Sequence, residues 1–105
     1  MAAANASIER DGDTLHLGGV LDFDSVPALA RQLPALLGTT DAPACVDCAR
    51  VSSANSAGLA LLLEISRIMR ASQRSIRFQN VPPSMQSVAH AYGLVEPDQE
   101  LEAVL

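Results

Sequence analysis

Between Ser56 and Arg70 the chain reads Ser-Ala-Gly-Leu-Ala-Leu-Leu-Leu-Glu-Ile-Ser-Arg-Ile-Met-Arg. At about 100° per residue, Gly58, Leu61, Leu62, Ile65 and Met69 fall on one arc roughly 100° wide. That is the i, i+3, i+4, i+7 spacing of a helix burying one stripe. Leu59 and Leu63 project about 100–140° from the centre of the arc, on the side shared with Ser56, Arg67 and Arg70. A helix that only packs on its own domain needs one apolar stripe. The second one predicts an uncovered ridge, bounded by a hydroxyl and two guanidiniums, that another polypeptide can cover.

The start of this helix is equally specified. Asn55 and Ser56 are both N-cap residue types, able to accept from the free amides of the first turn, and Gly58 permits close backbone approach. A hydroxyl at the positive end of a helix dipole is a natural point for docking or modification.

The flanking sequence supplies alternating strands and helices. Ser7–Arg10 and Thr14–Gly19 read as strands joined by a turn at Asp11-Gly12-Asp13, with Leu15 and Leu17 alternating around His16. Asp24 or Ser25 then caps a helix carrying Val26, Leu29, Ala30, Leu33 and Leu37 on one face; Pro27 suits its first turn, whereas Pro34 must kink or end it. A short strand around Cys45, the Ser56 helix and a strand at Ser75–Gln79, with Ile76 and Phe78 inward, follow. The last helix starts near Pro83, carries Met85, Val88, Ala89 and Tyr92, and stops at Gly93. This order predicts an α/β sandwich: a central mixed β-sheet of about four to five strands with parallel pairs and helices packed against it. One domain over 7–105 is expected, with residues 1–6 disordered, because 105 residues cannot be divided into two adequate cores.

Composition narrows the function. The net charge is −5 and all seven cations are Arg, which argues against nucleic acid or an anionic membrane as the main partner. Only 3% of residues are aromatic, too few for stacking platforms. Glu64 stands against Arg67, Arg70, Arg74 and Arg77 within residues 51–80. This local positive region suits both a helix C-terminus and an acidic partner surface. The acids of the tail, Glu96, Asp98, Glu100 and Glu102, read as a solvated face. No apolar run approaches the length of a membrane span, and the first residues lack the basic start and apolar core of a signal peptide, so membrane association is expected only through a partner.

Catalytic chemistry finds no support. Cys45 and Cys48 sit in a strand, where residues three apart face opposite ways about 10 Å apart, too far for a disulfide, and two thiols do not complete a zinc shell. They read as small hydrophobes in a reducing compartment. His16 and His90 have no nucleophile placed beside them, Asp22 and Asp24 read as a loop residue and a helix cap, and no phosphate-binding loop is present. No catalytic residue, metal site or cofactor is therefore expected.

Three segments carry a resemblance. Val51–Leu63, with its core Asn55-Ser56-Ala57-Gly58-Leu59, resembles the Asp-Ser/Thr-x-Gly-Leu signature of STAS domains. Gly18-Gly19-Val20-Leu21-Asp22 is similar to the family's second-strand exit, and Ser84–Leu94 to its last helix with a closing Tyr-Gly-Leu. The resemblance implies a non-enzymatic binding module of one of two kinds. One kind docks on the ATPase subunit of a phospholipid ABC transporter, in a complex with permease and substrate-binding subunits at the cytoplasmic side of the inner membrane, and so supports outer-membrane lipid asymmetry. The other is an anti-sigma factor antagonist switched by phosphorylation of the serine directly before the glycine. That position is Ala57 here, which has no hydroxyl, and the resemblance therefore favours the transporter kind. The implied partner-binding residues are Asn55, Ser56, Leu59, Leu63, Arg67 and Arg70, with Ser56 the candidate phosphorylation site. Asn55 replaces the family's Asp, losing a charge and keeping the ability to cap.

Overall fold

The computed structural model describes residues 6–105. Residues 1–5, which hold most of the segment expected to be disordered, lie outside that range; Ala6 belongs to the first strand. Four strands form one sheet in the order β1 (Ala6–Asp11), β2 (Thr14–Leu21), β3 (Cys45–Ala54), β4 (Arg77–Gln79). β1 and β2 are antiparallel, and β2–β3 and β3–β4 are parallel. The sheet is the mixed one expected.

The hairpin turns on two residues, because Asp11 pairs directly with Thr14. Gly12 takes φ +60, which a two-residue loop matching the twist of its strands demands of a central residue. The parallel pairs need crossovers, and helices supply them. The first crossover is broken: α1 (Val26–Ala30) and α2 (Leu33–Leu37) are separate five-residue helices. Pro34 is the cause, since its ring nitrogen cannot donate to Ala30 and the ladder stops there. The second crossover is α3 (Ser56–Ala71), the longest helix. After β4 come α4 (Pro83–Ala91) and a single 3-10 turn at Leu101–Ala103.

Some boundaries differ from the expectation. The strand around Cys45 is not short: β3 continues to Ala54 and delivers the chain straight into the Asn55 cap, with no intervening loop. Pairing with the eight-residue β2 holds this polar second half in place, and two register shifts let it follow the twist. β4 is shorter, with Ile76 left before it. Tyr92 is exposed at the end of α4 instead of facing inward.

Leu15, Leu17 and Leu21 of β2, with Val46 and Cys48 of β3, point into one core, where they meet Leu29, Leu33 and Leu37, the inner face of α3, and Met85 and Ala89 of α4. On the opposite face Glu9, His16, Asp47 and Gln79 pair in a row across all four strands. The molecule is only 19 Å thick on its shortest axis, consistent with one sheet and one helical layer about 10 Å away. The helical layer leaves α3 in the middle, in contact with α1 and α2 on one side and α4 on the other.

α3 and α4 close their C-terminal ends in the same way. In α4, Gly93 at φ +70 donates to the His90 carbonyl and Leu94 to that of Ala89. In α3, Gln73 at φ +57 donates to Arg70 and Arg74 to Met69. These are two Schellman closures, one with the expected glycine and one without it.

Candidate partner-docking surface

The surface begins where β2 and β3 end side by side, with Leu21 paired to Ala54. The Asn55 backbone N–H donates to the Leu21 carbonyl at 3.1 Å, and its side-chain Oδ1 accepts from the Ala57 N–H at 2.8 Å. Of the two candidate caps, Asn55 therefore takes the role, and Ser56 becomes the first helical residue with its side chain half-buried. Helix and sheet can approach this closely because position 58 is glycine. A Cβ there would lie 2.9 Å from the Ala54 Cβ and 3.1 Å from the Leu21 Cβ.

From Ser56 one stripe runs along the solvent side of α3: Ser56, Ala60, Leu63, Arg67 and Arg70 fall on an arc of about 80° on the helical count. Leu63 is 38% exposed. Leu59, expected beside it, is a correction: it is 2% exposed and part of the core. The reason is geometric. The buried side of α3 extends from Ala57 through Leu61, Ile65 and Leu62 to Ser66 and Leu59, an arc of roughly 200°, because helices flank α3 on both sides while the sheet lies beneath. Ala60 takes the place assigned to Leu59. Its spacing of four from Ser56 and three from Leu63 was the available signal.

The charges on the stripe are tempered. Arg67 grips Glu64 with two hydrogen bonds, Nε to Oε1 at 2.8 Å and Nη2 to Oε2 at 2.6 Å, and this contact holds the Glu64 carboxyl below its usual range. Arg70 donates to the main-chain oxygens of Val104 and Leu105 at 3.2 and 3.1 Å, which fixes it against residues 104–105.

A second exposed element stands at the same end of the sheet, and sequence reading assigned it no role. Phe23, in the turn leaving β2, is 69% exposed. Neither Asp24 nor the Ser25 hydroxyl caps α1 as expected. Ser25 Oγ turns back to donate to the Val20 carbonyl at 2.7 Å, while Asp22 Oδ1 accepts from the Asp24 and Ser25 amides, both at 2.9 Å. The Ser25 amide, followed by that of Asp24, holds the Asp22 carboxyl below the usual carboxylate range.

The remaining polar candidates stand apart from this surface. Cys45 and Cys48 are buried free thiols, and burial pushes Cys48 up to about 12. His16 lies on the far face of the sheet, with Nδ1 3.8 Å from Asp47. That carboxyl is held low by hydrogen bonds from the Asn80 side chain and the Ala49 amide. His90 lies between the carbonyls of Gln86 and Gln99, 2.8 Å from each. Among the described residues no three His, Cys, Asp or Glu side chains converge as a metal site, and no helix is long and apolar enough to cross a membrane.

The family described as "Mlab, STAS domain" matches residues 4–102. The chain belongs to the STAS domain family. Within it, the chain is 34% identical over 86 residues to the intermembrane phospholipid transport system binding protein MlaB of Escherichia coli K12, covering 81% of this chain and 84% of that protein. The MlaB of Shigella flexneri matches at the same identity and coverage. Among solved structures, the anti-sigma factor antagonist SpoIIAA in its unphosphorylated form superposes with a TM-score of 0.61 at 20% identity, covering 81% of each chain. The phosphorylated SpoIIAA of Bacillus does so with a TM-score of 0.61 at 22% identity, covering 85% of this STAS domain and 84% of its own chain. These two share the fold.

Proposed function

We propose that this STAS domain is a non-enzymatic subunit of a phospholipid ABC transporter, seated on the transporter's ATPase subunit and supporting its activity. It would act at the cytoplasmic side of the inner membrane, held there by its partner, in a complex with permease and substrate-binding subunits that maintains outer-membrane lipid asymmetry. The observation that carries this reading is the stripe Ser56, Ala60, Leu63 and Arg67, left open on a helix buried over the rest of its circumference, in a chain 34% identical to MlaB.

The stripe is suited to docking in its parts. Ser56 offers a hydroxyl beside the amide-rich helix start. Ala60 lets a partner backbone approach closely, Leu63 supplies a small apolar contact, and the Arg67–Glu64 pair with Arg70 forms a polar rim. Leu59 contributes from beneath, by holding the helix in place.

Leu63→Asp tests the reading. The variant should fold as the wild type does and fail to co-purify with the ATPase subunit; retained binding removes the stripe from the mechanism. The antagonist reading of the same fold needs a phosphate on Ser56 or Ser53, since Ala57 has no hydroxyl. Intact mass of protein isolated from cells should show no phosphorylated fraction.

A further inference from the structure

Large apolar side chains are expensive to leave in water, and a chain with two Phe, one Tyr and no Trp has few to spare. Phe78 packs against the core from β4, whereas Phe23 stands 69% exposed. It is not on a loose loop. Asp22 N–H donates to Ser25 Oγ at 3.0 Å and Val26 N–H to the Asp22 carbonyl at 3.0 Å. Together with the Asp22 and Ser25 contacts described above, these bonds fix the backbone on both sides of the ring. With the backbone already ordered, covering the ring costs only its two side-chain torsions, which is what makes an aromatic side chain an effective anchor.

Its position and charge indicate the occupant. Leu21, two residues before Phe23, carries the carbonyl that receives the Asn55 amide and the side chain that packs on Gly58. Phe23 thus stands two residues beyond the strand end that is bonded to the cap of α3, at the same edge of the molecule as Ser56. Asp22 and Asp24 bracket it, and Asp22 is held in its charged form. Resting on the docking reading above, we infer that Phe23 is the aromatic anchor of the interface, entering an apolar pocket on the ATPase subunit whose rim is basic. The interface is thus two-part: an apolar plug between carboxylates at one end, and Leu63 with a guanidinium rim along the helix.

Affinity and association rate for the purified cognate ATPase subunit, measured for the whole chain, test this. Phe23→Ala should raise Kd about tenfold or more, while Phe23→Tyr, which keeps the ring, stays within about threefold. Both should unfold within about 2 °C of the wild type, because the ring adds little to the core. Asp24→Lys should slow association at low salt and flatten its salt dependence. A Kd for Phe23→Ala within twofold of wild type overturns the anchor, and association of Asp24→Lys as fast as wild type overturns the basic rim. If Leu63→Asp abolishes binding while Phe23→Ala leaves it intact, docking on α3 stands and the anchor falls. Failure of the wild type to bind removes both.

Discussion

Leu59 and Leu63 sit one turn apart on α3, with the same side chain on the same ladder, yet one is sealed in the core and the other reaches water. What separates them is their neighbours. α3 is bedded on the sheet and walled by helices on both sides, so the core claims an arc of roughly 200° and leaves a narrow solvent strip. The apparent double stripe is therefore one wide buried face plus a single exposed line. An apolar residue on the edge of a helix is assigned by what flanks the helix, and angle alone does not decide it.

The sharpest way to break this comparison is to truncate both leucines. Leu59→Ala should cost about 2–5 kcal/mol, the range for a large-to-small change in a packed core, and Leu63→Ala no more than about 0.5 kcal/mol, both read from denaturant midpoints at constant m. Equal costs would refute the contrast. A smaller effect is expected at the cap that sets the helix phase: Asn55→Ala removes the acceptor for the Ala57 amide and should lose about 1 kcal/mol. Ser56→Ala, one position on, should leave stability nearly unchanged, which would confirm that the hydroxyl does not cap.

A gain in place of a loss is expected at the other end of α3. Gln73 occupies the left-handed closing position that Gly93 fills in α4, and a non-glycine residue pays strain there. Gln73→Gly should therefore raise stability by about 0.5–1 kcal/mol, after allowing for the freedom glycine gains in the unfolded chain. A loss on thermal unfolding would mean that the Gln73 side chain contributes something the backbone does not reveal.

Local chemistry made much of this architecture legible in the sequence. Gly12 in the hairpin, the break before Pro34, the cap at Asn55, Gly58 under α3 and Gly93 at the end of α4 each follow from one residue's backbone preferences. The family signature followed from the same residues. What stayed hidden depends on distant partners. The second half of β3 has a polar sequence and is a strand because β2 runs beside it. Leu59 is buried because helices flank α3 and widen the arc that the core claims. Ser25 abandons its capping role because the Val20 carbonyl is within reach. Phe23 was visible as a residue but not as an exposed one, since nothing in its neighbours' sequence tells which way the Asp22 turn aims it.

The two cysteines of β3 have a use that their chemistry alone would not suggest. Both thiols are shut inside a middle strand of the sheet, with Cys48 strongly disfavoured as a thiolate. An alkylating reagent in native buffer can therefore reach Cys48 only when the core between the sheet and the helices opens. The molecule thus carries its own stopwatch, and the pace of labelling counts how often its centre comes apart.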